Sequence, residues 1–278
     1  MSAAVPDSLE NTHLHYQRWG ETGPRLLLLH PVGFELHTWD DVAPKLAKGR
    51  QVAAVDLPGH GESDKPPTAD YGVRSLGRRV IRFLDELGWE DALLIGNSLG
   101  GGTALAVALQ APERVRGLAL VNSVAFRWGL PPVALFTFFP GIALLGRILP
   151  PPLVRFGLEL TRGRRGTVSN YRCGHAGAYL RHAEGGPAFY RTVRQLYGPD
   201  LNEMAPHYRE IRCPTVVLHG VRDPLLFRPH ARRLAASIPG AELRWLPRCG
   251  HFPQEECPEE LTTELLPFLE QVESRWRR

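Results

Sequence analysis

Lysine is nearly missing from this sequence. Only Lys45, Lys48 and Lys65 are present, so 30 of its 33 basic residues are arginine. That bias reads as a codon or lineage habit before it reads as recognition. A net charge of +4 spread over 278 residues makes no case for a nucleic-acid partner. Cysteine is also scarce. Cys173, Cys213, Cys249 and Cys257 form no CxxC pair, which argues against a metal site, and four thiols in so long a chain do not make a disulfide scaffold. The opening residues, MSAAVPDSLENTHLHYQRWG, lack a basic start followed by an apolar run, so no secretory leader is read there and a cytoplasmic location is expected. Nor is there an unbroken apolar run of membrane-spanning length. The most apolar stretch, residues 129–154, is interrupted by Pro131, Pro132, Pro140, the run Pro150 to Pro152, and Arg147.

What remains is a chain with enough apolar bulk (43%) for one large α/β domain. Short runs rich in Val, Ile and Leu read as buried strands: LLLLH (26–30), VAAVD (52–56), ALLIGN (92–97), GLALVNS (117–123), TVVLHG (215–220) and AELRWLP (241–247). Between them lie helical patterns. Residues 73–89 place Val80, Phe83, Leu84 and Leu87 on one face. Residues 103–115 are small and apolar, as suits a helix packed on a sheet, and residues 258–276 read as a closing helix. Strand alternating with helix predicts a doubly wound, mostly parallel sheet covered on both faces. Functional groups in such sheets gather at the carboxyl ends of the strands. His30, Asp56, Ser98, Ser123 and the loop after Gly220 all fall there.

The rhythm stops between Phe126 and Ala205. Pro, Gly and aromatic clusters with helix-like pieces occupy a segment too long for a simple loop. The expectation is an α/β core of residues 1–125 and 206–278 with an inserted, mainly helical cap at 126–205. The insert carries ten arginines against four acids, a net +6, which leaves the rest of the chain at −2. Solvated helix faces account for such a charge run most simply; an entrance that attracts anions is the alternative reading.

Gly96-Asn97-Ser98-Leu99-Gly100 has the G-x-S-x-G spacing of a nucleophile elbow. A serine on a sharp strand-to-helix turn is exposed there, and small residues two before and two after let the chain close without clashes. A plain N-cap serine would account for the same residues, and the strand-turn-helix context decides in favour of the nucleophile. A serine hydroxyl needs a base, and the base an orienting acid. His251, in CGHFPQEE between the last strand and the last helix, and Asp223, in HGVRDPL, lie at the same sheet edge in the order nucleophile, acid, histidine. Asp223-Pro224 also suits a turn. His219 and His60 read as structural, and Cys249, two residues before His251, as a packing residue. An oxyanion hole is expected from the backbone N–H groups of Val32, in the HPVGF loop after the first strong strand, and of Leu99. Gly33, Phe34 and Asn97 are expected against the substrate.

Five segments, LLLHPVGFELHTWD, VDLPGHGESD, LLIGNSLGGGTALAVALQAPERVRGLALVNS, VVLHGVRDPL and CGHFPQEECPEEL, resemble the capped, cofactor-free α/β-hydrolases in order and spacing, over nearly the whole chain except the cap. The resemblance implies the same roles for Ser98, Asp223, His251, Val32 and Leu99, and implies no cofactor. One departure is Pro31, where the family often has glycine after the histidine. Haloalkane dehalogenases and epoxide hydrolases of this fold use an aspartate at the elbow. Ser98 favours an ester, thioester or lactone of a mainly apolar small molecule, with Phe136, Phe138 and Phe139 supplying an aromatic cap. Asn97 in the GNS elbow also resembles hydrolases that cleave C–C bonds of vinylogous diketones, and SLGGG resembles cofactor-free perhydrolases. A ligand receptor that keeps the fold is the reading from another class. No metal, no nucleic acid and no stable membrane insertion are expected, although an apolar cap could rest on a membrane. Acyl length, stereopreference and oligomeric state are not encoded in any motif.

Overall fold

The structure, a computed structural model, describes residues 9, 11–128, 130, 138, 142–163 and 166–276. Phe136 and Phe139 of the expected aromatic cluster, and Arg164 and Arg165 of the basic insert, lie outside the described residues. Seven strands form one sheet: β1 (Tyr16–Trp19), β2 (Arg25–Leu29), β3 (Gln51–Val55), β4 (Ala92–Asn97), β5 (Val115–Val121), β6 (Thr215–Gly220) and β7 (Glu242–Leu246). Their order is β1-β3-β2-β4-β5-β6-β7, with β1 antiparallel to β3 and every other pair parallel. Six of these strands match the apolar runs of the sequence. The edge strand β1 does not, because its sequence YQRW is largely exposed and carries no apolar run.

Both faces of the sheet are covered. Leu27 and Leu29 of β2 join one buried cluster with α2 (Val73–Glu86) and α3 (Leu99–Gln110), while Leu26 and Leu28 join the other with α1 (Ala43–Leu46) and α11 (Pro258–Trp276). Successive strand residues face opposite ways, so a strand buried on both sides reads as an unbroken leucine run. Helix α3 is buried along almost its full length between sheet and α2, which is why its sequence shows small apolar residues rather than an amphipathic stripe. The remaining helices of the core are α9 (Arg228–Ser237) and the short α10 (Pro253–Glu256).

Between β5 and β6 the described residues contain α4 (Ile142–Arg147), α5 (Pro151–Leu160), α6 (Asn170–Arg181), α7 (Gly185–Leu196) and α8 (Asp200–Met204), and no strand. Leu201 and Met204 of α8 are buried in the same cluster as α2 and α3. Among the described residues no helix is long and apolar enough to cross a membrane.

The sheet reverses its winding between β2 and β4. Chain progression runs outward from β2 to β3, then returns to place β4 on the other side of β2. At such a switch point the loops leaving the two strands diverge and open a crevice. The HPVGF loop leaves β2 and Ser98 follows β4, so topology alone brings these two segments together.

Several histidines are buried in this framework. Burial, with the His30 ring beside it, pushes His60 down to about 3, and burial pushes His230 down to about 4. In the unfolded chain both take up protons near pH 6.5; in the folded protein they remain neutral until well below that. The unfolded state therefore binds more protons in this window, and stability is lost as pH falls from about 6.5 toward 3. Denaturant midpoints measured from pH 7 to pH 4 are expected to fall, and to fall less steeply in His60→Gln.

Candidate active site

Ser98 ends β4 and begins α3 at φ 53° and ψ −113°. Left-handed φ in a serine costs about 1–3 kcal/mol and persists only where the surroundings impose it. Those surroundings are visible at the glycines. A Cβ on Gly96 would lie 2.4 Å from the Gly100 carbonyl, one on Gly100 would lie 2.2 Å from the Leu29 carbonyl oxygen, and one on Gly101 would lie 1.8 Å from Ser123 Oγ. The Ser98 N–H donates to the Val121 carbonyl at 3.1 Å, and its own carbonyl accepts from Val124 at 3.1 Å. The turn is thus clamped between β2 and the end of β5. Ser98 Oγ has no hydrogen-bond partner among the described residues, and Ser98 lines a cavity of about 400 Å³.

His251 lines the same cavity. Its Nδ1 meets Asp223 Oδ2 at 2.7 Å, in a pair that is almost wholly buried. Asp223 lies behind the histidine and takes no part in the cavity wall. Its Oδ1 accepts from the N–H groups of Leu225 (2.7 Å) and Leu226 (3.0 Å), and its Oδ2 also accepts from Asn122 Nδ2. Burial alone would raise this carboxyl. The adjacent His251, the hydrogen bonds it receives and the more distant His219 outweigh that effect and hold it below the usual carboxylate range. An ionised Asp223 fixes the tautomer of its neighbour: Nδ1 carries the proton and Nε2 is left as the basic atom.

Val32, Gly33 and Phe34 line the cavity from the loop after β2. His30 shapes that loop. Its Nε2 accepts from the Leu57 N–H at 2.8 Å, so its Nδ1 is the donor to the Pro31 carbonyl, also at 2.8 Å. The Phe34 N–H donates to the same carbonyl at 3.2 Å. Pro31 lacks an N–H, yet its carbonyl is the acceptor that organises the turn. Among the described residues, no protein acceptor takes the N–H of Val32 or of Leu99. Gly33 has φ +77°, and a Cβ there would lie 2.9 Å from the Phe189 ring of α7.

Asn97 requires a correction. It was expected against the substrate, but it is fully buried and does not line the cavity. Its Nδ2 donates to the carbonyls of Val121 (2.9 Å) and His251 (3.0 Å), and its Oδ1 accepts from Gln254 Nε2 at 3.0 Å. It holds the backbone of the histidine loop. Three residues with comparable placement went unread in the sequence. Asn122, at φ 42°, bridges Asp223 and the Gly220 N–H. Gln254 braces Asn97. Glu256 accepts from the Phe252 N–H (3.0 Å) and from the Gly163 N–H (2.9 Å), tying the histidine loop to the segment after α5. A polar residue after a strand, such as Asn122 after β5, is the only sequence signal any of them gave.

The arginine-rich insert is also not uniformly solvated. Arg162 and Arg172 are buried. Arg172 bridges Glu35 Oε1 (2.8 Å) and Glu255 Oε1 (2.6 Å) and lies 4.8 Å over the Phe34 ring, while Arg162 pairs with Glu255 and His175 with Glu35. These groups sit behind Phe34 and Phe252, whose rings stack at 4.4 Å in the cavity wall. The remaining wall is apolar and comes largely from α5, α6 and α7, with Val154, Leu158, Tyr179, Phe189 and Val193 among its residues. No Asp, Glu, Lys or Arg among the described residues lines it.

Cys249, Cys257 and Glu260 bring possible ligand atoms within 4.8 Å of one another, away from the cavity wall. The neighbouring Cys257 and burial push the Cys249 thiol far up.

A family model described as the alpha/beta hydrolase family matches residues 26–264. The 2-hydroxymuconate semialdehyde hydrolase of Pseudomonas sp. (strain CF600) is 31% identical over 238 residues, covering 83% of this chain and 81% of that protein. Among solved structures, an alpha/beta hydrolase fold protein from Burkholderia ambifaria superposes with a TM-score of 0.82 at 26% identity, over 93% of this chain and 95% of the other. The enol-lactonase from Burkholderia xenovorans LB400 superposes with a TM-score of 0.76 at 25% identity, over 93% and 97%.

Removing one member of a buried ion network leaves its partners unpaired. Arg172→Met is expected to cost about 3 kcal/mol in chemical denaturation. Adding Glu35→Gln should then cost less than it does in the wild-type background, which a double-mutant cycle reads directly.

Proposed function

Because the chain belongs to the alpha/beta hydrolase family, we propose that it is a serine hydrolase of neutral, mainly apolar carboxylic esters, thioesters or lactones, working through an acyl-enzyme on Ser98. The observation that carries this reading is one cavity with Ser98 and the Asp223-paired His251 in its wall and no charged side chain among its described lining residues. In the reaction, His251 Nε2 takes the Ser98 hydroxyl proton as Oγ attacks the substrate carbonyl. Asp223 stays ionised and holds the imidazolium. The N–H groups of Val32 and Leu99 receive the oxyanion, the second with the help of the α3 N-terminus. His251 then gives its proton to the leaving group. A water molecule, activated by the same nitrogen, releases the acid. Helices α4–α7 act as the cap that encloses the acyl chain.

A C–C bond hydrolase with the same residues is the second reading, favoured by the hydroxymuconate semialdehyde hydrolase among the relatives. A dienoate substrate carries a carboxylate, and burying that charge without a cation costs several kcal/mol. Arg162 and Arg172 are neutralised by Glu35 and Glu255 behind the wall rather than offered to the cavity. That charge balance, together with the commitment of Asn97 to backbone carbonyls, favours the neutral ester. A ligand receptor on this fold would show one slow turnover and a lasting complex instead of repeated catalysis.

Steady-state assays with p-nitrophenyl esters, lactones and a dienoate diketone test the proposal. Wild type is expected to turn over the esters repeatedly and to prefer them to the dienoate. Ser98→Ala should lose at least about a thousandfold in kcat with an unchanged thermal midpoint; full activity in that variant removes the assignment.

A further inference from the structure

Ten of the eleven large apolar side chains that stand exposed among the described residues fall between residues 128 and 227. The densest group is on α4 and α5. Leu144, Leu145 and Ile148 are exposed by 65%, 51% and 75%, and Phe156 and Leu160 by 60% and 56%. Gly146, on the other side of α4, packs against the Tyr190 hydroxyl of α7, where a Cβ would come within 2.4 Å. Leu144 and Leu145 of α4, and Ile148 just after it, are left facing out.

Helix α5 carries apolar residues around a wide arc. Leu153, Val154, Gly157 and Leu158 line the cavity, and the arc continues outward through Leu153, Leu160 and Phe156, which are exposed by 54%, 56% and 60%. The charged residues of α5 are taken up by the neighbouring loop. Arg155 donates to the Val168 carbonyl and to Asn170 Oδ1, and Glu159 accepts from the N–H groups of Gly166 and Val168. Nothing polar interrupts the outward arc between Phe156 and Leu160. An exposed apolar arc of this extent on a surface helix lacks a partner.

Charge identifies that partner. Arg147 is exposed on α4 beside these side chains. The nearby acid Glu159 is occupied as above, and Asp200 and Glu203 meet Arg74 on α2. A second copy of this chain would bring like charge against like charge. We propose that the outer face of α4 and α5 docks on an anionic phospholipid bilayer. Leu144, Leu145, Ile148, Phe156 and Leu160 enter the headgroup–acyl boundary, and Arg147 meets lipid phosphates. Because α5 also walls the cavity, a bilayer docked on this face lies against a helix that bounds the space in front of Ser98.

Co-sedimentation of the full chain with phosphatidylglycerol and phosphatidylcholine vesicles tests this without reference to catalysis. The expected result is binding to phosphatidylglycerol that weakens with added salt, little binding to phosphatidylcholine, and at least about tenfold weaker binding for Ile148→Glu, Phe156→Glu and Arg147→Glu, each with an unchanged thermal midpoint. Equal binding to both lipids, binding unaffected by these variants, or no binding overturns the proposal. So does a concentration-dependent dimer in sedimentation velocity that Phe156→Glu dissolves, since the face would then belong to a second copy.

Discussion

The turn at Ser98 holds its left-handed backbone because neighbouring strands close on it more tightly than any side chain would permit. Gly100 lies against the Leu29 carbonyl of β2, and Gly101 against Ser123 beyond β5. Both backbone groups of Ser98 are bonded to the end of β5. The strain is about 1–3 kcal/mol, and relaxing it would require β4 to separate from both neighbours along a buried, hydrogen-bonded register. The sheet thus stores the strain. The position of the hydroxyl follows from strand order and glycine content rather than from contacts made by the hydroxyl itself.

The histidine loop adds a second device to close glycine packing. Gly250, just before His251, lies against the Gly163 backbone, where a Cβ would come within 2.0 Å, and buried amides and carboxylates hold the rest. Asn97 grips the loop carbonyl from the end of β4, Gln254 donates to Asn97 and braces it, Asp223 grips the ring, and Asn122 grips Asp223. Each of these polar groups would be costly to bury alone, so they form a connected network in which the geometry of one fixes the next. Glu256 extends the network outward. By accepting from both Phe252 and Gly163, it makes the seating of the helical segment and the position of the histidine loop parts of one arrangement.

This division explains what could be read from the sequence. Buried strands betray themselves by composition, and the Gly96-x-Ser98-x-Gly100 spacing is a local steric requirement, so both were legible. Asp223 and His251 were legible because strand ends converge on one edge. The edge strand β1 was not, since exposure removes the apolar signal on which strand reading depends. Asn122, Gln254 and Glu256 act on Gly220, Asn97 and Gly163, which lie 98, 157 and 93 residues away in sequence; no local pattern announces such pairing. Asn97 was assigned to the substrate because it neighbours Ser98, yet alternation along a strand and its end turns adjacent side chains different ways. The arginines of the insert carried one charge count but two fates, and only tertiary placement separates Arg162 and Arg172 from Arg127 and Arg147.

That separation of charge has a chemical consequence. Ion pairs at Glu35 and Glu255 consume the two cations nearest the cavity wall, and Phe34 and Phe252 stand between them and the interior. The cavity therefore has little mobile or ionic charge to screen the dipoles that remain, the unpartnered N–H groups of Val32 and Leu99 and the N-terminus of α3. In such a medium, a fixed dipole acts more strongly on developing charge than it does in water. A carboxylate in the ground state would demand a counter-charge that this wall does not offer. In the proposed reaction, a neutral carbonyl demands nothing until Oγ adds to it, and the negative charge would then appear where those N–H groups are free to receive it. An uncharged wall thus weakens binding of ionic ground states while leaving stabilisation for the transition state, which is the difference that accelerates a reaction.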